Sequence, residues 1–353
     1  MTLRIGVGLS RDGRDDWESA ATFAREAERL GVASMWASET WGFDGATPLA
    51  YIAAHTEQIR LGTSIIQVGA RTPAMTAMTA MSLASITGDR FVLGLGTATA
   101  QIMEAWHGVS FDRPVQRTRE LIEIVRLISA RERVIYDGEI QQLPLTAEAR
   151  PMRSTAAARH IPIHIASIGP RNLRMTGELA DGWIGNSFIP ETADVFFDPL
   201  RAGAEAAGRS FDDIEKQVPV TLEFDDDLDA LAKRHAVGFA FTFGAMGTPG
   251  RNFYVQAFSR QGFADEVHAV HRLWLDGKRE EAEDLVPIEI ALKTNLLGTE
   301  ETVKQRLRAY RDAGIDELRV GLRGENIDER LQNLGRLMQL VDDVNAEPRQ
   351  PSE

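Results

Sequence analysis

Cysteine is absent from the 353-residue chain, which excludes disulfides, thiolate nucleophiles and Cys-ligated zinc while leaving the cellular compartment open. Positive charge is in deficit. The chain has 39 Lys plus Arg against 52 Asp plus Glu, and a net charge of -13 opposes nonspecific attraction to nucleic acid or to an anionic membrane. Long apolar runs are missing too: none approaches the roughly 18 residues of a membrane span. Met1 to Gly6 leads directly into a strand pattern without the apolar core of a secretory signal. A cytoplasmic protein is expected, acting on a small organic molecule, with no nucleic-acid, membrane or metal partner.

What is present is a repeated grammar of strand, helix and glycine. Arg4 to Ser10 reads as a strand. Trp17 to Leu30 reads as an amphipathic helix stopped by Gly31, and a second strand follows at Ser34 to Ser38. The same grammar returns near the C-terminus, with a helix from Val303 to Ala313, Gly314 and a strand from Glu317 to Leu322. Between these ends, strands are expected at Arg60 to Gln67, Phe91 to Gly96, Ile161 to Ser167, Gly182 to Ser187 and Lys216 to Phe224. Helices are expected at Pro48 to His55, Pro73 to Thr87, Arg113 to Ala130, Arg171 to Ala180 and Asp194 to Ala207. Eight strands alternating with helices predict an α/β fold of the (β/α)8 TIM barrel type, one domain over residues 1–345.

Two stretches break the spacing. Arg133 to Pro144, with a central Asp137-Gly138, reads as an inserted hairpin. Residues 225–298 form a helical insertion between strands 7 and 8. Its helical patterns lie around Asp229 to Phe241, Val255 to Gly262, Ala264 to Leu275 and Lys278 to Leu285, with a glycine-rich connector from Gly244 to Gly250. Insertions of this length usually cover a site or form an interface. The tail, residues 346–353, is expected to be mobile.

The chemistry is expected at the carboxyl ends of the third and fourth strands. Leu61-Gly62-Thr63-Ser64-Ile65-Ile66-Gln67 and Phe91-Val92-Leu93-Gly94-Leu95-Gly96-Thr97 both begin apolar and end in Thr, Ser, Gly or Gln, which hydrogen-bond or admit a ligand to the backbone. Gly94-Leu95-Gly96-Thr97-Ala98-Thr99 lacks the third glycine of a dinucleotide fingerprint. Helix N-termini attract anions, so Ser167-Ile168-Gly169-Pro170, opening the helix near Arg171, is a candidate phosphate site; a plain strand-to-helix turn is the alternative.

These residues, together with Glu104-Ala105-Trp106-His107-Gly108, Pro114-Val115-Gln116-Arg117-Thr118, Ala180-Asp181-Gly182-Trp183-Ile184, Gly298-Thr299 and Tyr310-Arg311-Asp312-Ala313-Gly314, occur in one order along the chain. The ordered set resembles the bacterial luciferase-like superfamily of barrel enzymes, in particular its coenzyme F-420-dependent branch. That branch includes methylene-tetrahydromethanopterin reductase and F-420-dependent glucose-6-phosphate dehydrogenase. The resemblance implies a homodimer with a deazaflavin ring in the barrel mouth, resting against a bulge with a non-prolyl cis peptide at Ser64-Ile65. Thr63, Gly96, Thr97, Thr99 and Gln101 would lie beside the ring, and Ser167, Ile168, Gly169 and Arg171 at its phosphate.

Glu39 is the candidate for hydrogen-bonding the ring's head, or else a Glu at a loop start. Thr40 stands where sugar-phosphate-oxidising members carry His, and the second carboxylate of that pattern would fall near Thr99 and is missing. Glu104 and His107, three residues apart, would share a helical face, with His107 supplying a proton or serving as a structural residue of the loop. Trp41, Trp106, Met246 and Asn252 are expected around the substrate, with Trp183 another aromatic available to a flat ligand or to the core. His268 and His271 read as helix-face residues. The expected activity is F-420-dependent hydride transfer that reduces a C=N or C=C bond. The alternatives are an FMN-dependent monooxygenase of the same superfamily and a noncatalytic barrel relative.

Overall fold

Eight parallel strands close on themselves in the computed structural model, which describes residues 2–246 and 252–348. They are β1 Arg4–Gly8, β2 Ser34–Ala37, β3 Arg60–Thr63, β4 Phe91–Gly96, β5 Ile163–Ala166, β6 Gly182–Ile184, β7 Glu215–Phe224 and β8 Glu317–Leu322. Each pairs with its neighbour in sequence, and β8 returns to β1 through Arg4 opposite Glu317. The chain is a (β/α)8 barrel.

The outer ring consists of helices Trp17–Arg29, Ala46–Ala53, Pro73–Ile86, Pro114–Ser129, Pro170–Leu179, Asp194–Ala206, Glu300–Asp312 and Ile327–Ala346. Asp16 caps the first by accepting from the Ser19 amide, and Thr72 caps Pro73–Ile86 through the Met75 amide. The last helix, absent from the expected elements, buries Leu334, Leu337, Leu340, Val341 and Val344. It joins the two ends of the chain, because Asn345 hydrogen-bonds both the amide and the carbonyl of Leu3.

Strand alternation sorts side chains between two compartments. Ile5, Val7, Leu61, Leu93, Leu95, Ile163, Ile165, Leu318 and Val320 point outward into the core shared with the helices. The other face lines the barrel, which is charged at its bottom: Glu215 accepts from Arg4 and Arg60, and His164 lies 3.8 Å from it. Above them Glu317 accepts from Ser34 at 2.6 Å and from Gln217, while Trp36 donates to Ser34 at 2.6 Å. Burial, reinforced by the nearby Glu215, pushes the Glu317 carboxyl above its ordinary range. Higher still, Trp36, Val92 and Ile184 pack together with Ile65 and Ala166.

The expected third strand, Arg60 to Gln67, is broken in two: β3 ends at Thr63, and Ile66–Gln67 resumes beside β4. The hairpin pairs Tyr136–Asp137 with Gln142–Leu143, so its turn runs from Gly138 to Gln141 and is centred two residues beyond the expected Asp137-Gly138. The Glu120 carboxylate holds that turn by accepting from the amides of Glu139, Ile140 and Gln141.

The insertion after β7 contains helices Leu228–Ala245, Phe253–Phe258, Ala264–Leu275, Arg279–Asp284 and Ile288–Thr294, the last of them unexpected, around a cluster that includes Phe243, Phe258, Val267, Val270 and Ile290. It ends in an unanticipated strand, Leu296–Gly298, parallel to the end of β7. Most of the Gly244 to Gly250 connector lies outside the described residues, as do residues 349–353 of the tail. The part of the tail that is described is tied down, with Glu347 accepting from Nε and Nη2 of Arg308.

Candidate active site at the barrel mouth

At the break in the third strand the Ser64-Ile65 peptide is cis. Ile65 lies against β4, where only glycine fits: a Cβ on Gly96 would come within 2.8 Å of Ile65 and 3.4 Å of Ala166. Ile65, Gly96, Ala166 and Ile184 thus form a close apolar bed at the rim. Thr63 supports it from below, donating to the Gly94 carbonyl and accepting from the Gly94 amide, both at 2.9 Å. That exchange occupies its hydroxyl. Thr97 and Thr99 are half-buried just beyond the bed, with Thr99 receiving the Ile102 amide and Gln101 exposed in the following turn.

Glu39 is buried and already paired. Arg71 grips it with two bonds of 2.5 and 2.7 Å, and the amides of Gly45 and Gln67 donate to the same carboxylate. Although burial pushes its pKa up, these donors hold the Glu39 carboxyl below its ordinary range. Every oxygen has two partners, so the geometry makes Glu39 the anchor of the loop after β2, where the sequence pointed to a free head-group ligand. Thr40 is exposed, and its carbonyl accepts from the Gln67 side chain at 2.9 Å.

That contact fixes the tautomer of a neighbour. Gln67 spends its NH2 on the carbonyls of Glu39 and Thr40, so its oxygen faces His107 Nε2 at 2.6 Å and His107 carries its proton there. Glu104 and His107 do not act as a pair. Ile102–Trp106 is a wide helical turn closed by the His107 amide on the Ile102 carbonyl, which swings Glu104 outward to receive the Phe111 amide.

After the bed, the chain runs beyond Ala166 at the end of β5 to the expected phosphate site. Ser167 is buried, hydrogen-bonded to Thr176, and its carbonyl receives the Trp183 indole. Gly169 precedes helix Pro170–Leu179, whose first-turn amides begin at Arg171 because Pro170 has none to give. Arg171 itself is exposed. A residue that sequence reading missed joins them: Arg260, from the insertion, donates to the Ile168 carbonyl at 2.8 Å, while its buried Nε has no partner among the described residues. Burial lowers its pKa.

Beside the bed, a cavity of about 350 Å³ opens between the ends of β1, β2, β6, β7 and β8, roofed by Phe239, Thr294 and Asn295 of the insertion. Among the described residues its lining is apolar or neutral except for Arg319, the second missed residue. Arg319 projects from β8 into the barrel and donates to Ser64 Oγ on the far wall. The signal was the alternation Glu317-Leu318-Arg319-Val320, which places two charges on the inner face of a parallel strand.

The remaining expectations separate. Trp41 and Trp106 are exposed, at 57% and 64%, outside this cavity. Met246 is half-buried at the end of Leu228–Ala245. Asn252 caps Phe253–Phe258 rather than facing the cavity, since its side-chain amide donates to the carbonyls of Thr242 and Phe243 and accepts from the backbone of Tyr254 and Val255. Trp183 is fully buried on the outer side of the sheet against Phe196 and Phe197, so it belongs to the core and not to a ligand pocket. His271 hydrogen-bonds the Phe243 carbonyl.

A family model for luciferase-like monooxygenases matches residues 2–317. A protein of Mycobacterium tuberculosis, whose name assigns it provisionally to the coenzyme F-420-dependent oxidoreductases, is 32% identical over 89% of this chain and 93% of its own length. A 5,10-methylenetetrahydromethanopterin reductase of Methanolobus tindarius is 30% identical over 65% of this chain and 68% of its own. In three dimensions, the coenzyme F-420-dependent tetrahydromethanopterin reductase of Methanopyrus kandleri superposes with a TM-score of 0.75 at 22% identity, covering 95% of this chain and 98% of that one.

Proposed function

Because the chain belongs to the luciferase-like monooxygenase family, we propose that it is a coenzyme F-420-dependent oxidoreductase that reduces a C=N or C=C bond of a small organic substrate. One observation carries this reading: an apolar bed for a flat ring and an anion-binding helix start lie consecutively on the same rim, joined by the short turn that follows β5. The bed is closed by Ile65 over Gly96, and the helix start has a cation beside it with an unused buried donor, Arg260 Nε. A flat ring with an anionic tail fits that donor set.

The deazaflavin, when bound, supplies the hydride. The chain's own residues do the rest. Ile65, Gly96 and Ala166 support one ring face, and Arg260 with the first-turn amides after Gly169 holds the phosphate. Phe239, Thr294 and Asn295 of the insertion cover part of the neighbouring cavity. Positions 40 and 99 are threonines, so the mouth lacks the His and carboxylate with which relatives that oxidise an alcohol would accept its proton. This favours reduction. Our reading also carries a cytoplasmic homodimer.

Titrating the purified protein with oxidised and reduced F-420, and in parallel with FMN, tests the proposal through absorbance and fluorescence. Binding of F-420 in preference to FMN supports it. Tight FMN binding with no response to F-420 would transfer the chain to the flavin monooxygenases, and failure to bind either would leave a noncatalytic barrel.

A further inference from the structure

The cavity of about 350 Å³ beside the ring bed has walls of Gly8, Ser38, Asn186, Thr221 and Phe239 and, among the described residues, a single charged group, Arg319. Among the described residues no Asp or Glu lines it. Two residues earlier on the same inner face, Glu317 turns down towards Ser34, Trp36 and Gln217, leaving Arg319 with Ser64 Oγ as its hydrogen-bond partner among the described residues. A guanidinium carries five donors in a planar fork, so most of this one's capacity is unspent where it meets the cavity. Burial draws its pKa down to about 10, which still leaves it cationic at neutral pH. Glu317 is the opposing charge that acts on this cation among the described residues, and it is itself taken up by Ser34, Trp36 and Gln217, so an anion entering the cavity supplies a counter-charge that the fork can bond directly.

We propose that Arg319 receives a carboxylate of the substrate, making the substrate class small organic acids whose reducible bond lies towards Ser64-Ile65. This rests on the reading of the chain as an F-420-dependent reductase. The volume is at the small end for ligand sites, which suits a compact acid better than a polycyclic one. The Ser64 contact fixes where the fork sits, because Arg319 crosses from β8 to β3, strands separated in the barrel by β1 and β2. A carboxylate held there is therefore placed relative to the bulge that supports the ring. In the reduction, hydride adds to one atom of the double bond, its π pair moves to the other atom, and a solvent-derived proton completes the saturated product. The carboxylate stays unchanged throughout.

Calorimetric titration with benzoate and with its neutral isostere benzamide is the test, run on the wild type, Arg319→Gln and Arg319→Lys, each also titrated with F-420. Expected is benzoate binding to the wild type at least tenfold tighter than benzamide, loss of that preference in Arg319→Gln and its partial return in Arg319→Lys. F-420 affinity should stay within about threefold in all three. Equal binding of benzoate and benzamide by the wild type would overturn the proposal. So would a large loss of F-420 affinity in Arg319→Gln with the benzoate preference intact, which would assign the arginine to the coenzyme. F-420 binding by the wild type, scored separately, keeps the fate of the cofactor reading distinct from that of the carboxylate.

Discussion

Arg71 grips Glu39 with two parallel bonds, Nη1 to Oε1 at 2.5 Å and Nη2 to Oε2 at 2.7 Å, and so ties the loop after β2 to the segment after the broken third strand. Replacing Glu39 by Gln removes the negative charge and leaves a partly buried arginine without it. Unfolding in urea should show a loss of about 1–3 kcal/mol, less than a deeply buried pair would lose because Arg71 retains access to solvent. The folded pKa of Glu39 is lowered, so its contribution is present above the ordinary carboxylate range and disappears as pH falls through the folded value. As pH falls from the ordinary carboxylate range through that lowered value, the gap between wild type and Glu39→Gln should therefore narrow; a constant gap would contradict the ion pair.

Trp36 occupies the barrel interior only because β3 has no side chain at Gly62. A Cβ there would fall 2.3 Å from the indole. The indole is also held by its hydrogen bond to Ser34, so it cannot slide away freely. Gly62→Ala should lower stability by about 1–3 kcal/mol and shift the tryptophan emission, a double readout that ordinary surface substitutions do not produce.

The periodic features of this molecule were legible in its sequence and the pairwise ones were not. Strand and helix order followed from apolar spacing and from glycines such as Gly31 and Gly314, both of which have positive φ. Leu331, Leu334, Leu337 and Val341 carry the same spacing in the closing helix, which the expected elements nevertheless omit. Partnership is different. Nothing local to Glu39 announces Arg71, 32 residues away, and nothing local to Arg319 announces Ser64, 255 residues away. Each is a lone charged residue until the barrel closes. The Glu104 and His107 spacing misled for a related reason: three residues share a face on an α-helix, but the wide turn at Ile102–Trp106 rotates them apart.

His164 is fully buried at the barrel bottom, faced by Glu215, Arg60, Asp181 and Arg4. Burial is the largest influence and draws its pKa from 6.5 to about 4. The unfolded chain therefore binds a proton between these values that the folded chain does not, so stability must fall as pH drops from 6.5 towards 4. The loss from this group reaches about 3 kcal/mol if the whole shift is expressed. His235, also lowered, titrates in the same direction and adds to the wild-type slope. Urea unfolding at a series of pH values should give a shallower slope for His164→Gln than for the wild type; parallel slopes would mean that His164 takes up its proton as readily in the folded barrel as in the unfolded chain.

Arg260 gives the coenzyme reading a test that does not depend on turnover. Its guanidinium already donates to the Ile168 carbonyl, so the side chain is held at the mouth end of β5 before any ligand arrives, and its Nε has no partner among the described residues. An anion at the start of helix Pro170–Leu179 would meet this donor together with the first-turn amides. Arg260→Gln keeps a donor for the carbonyl but loses the charge. F-420 should then bind about 10-fold more weakly, with a smaller dependence on salt, in a fluorescence titration. A deazaflavin fragment lacking the phosphate should bind the two proteins alike, since it presents only the ring to Ile65 and Gly96. If the fragment loses affinity as much as the whole coenzyme does, Arg260 acts through the shape of the rim, and the phosphate must rest elsewhere.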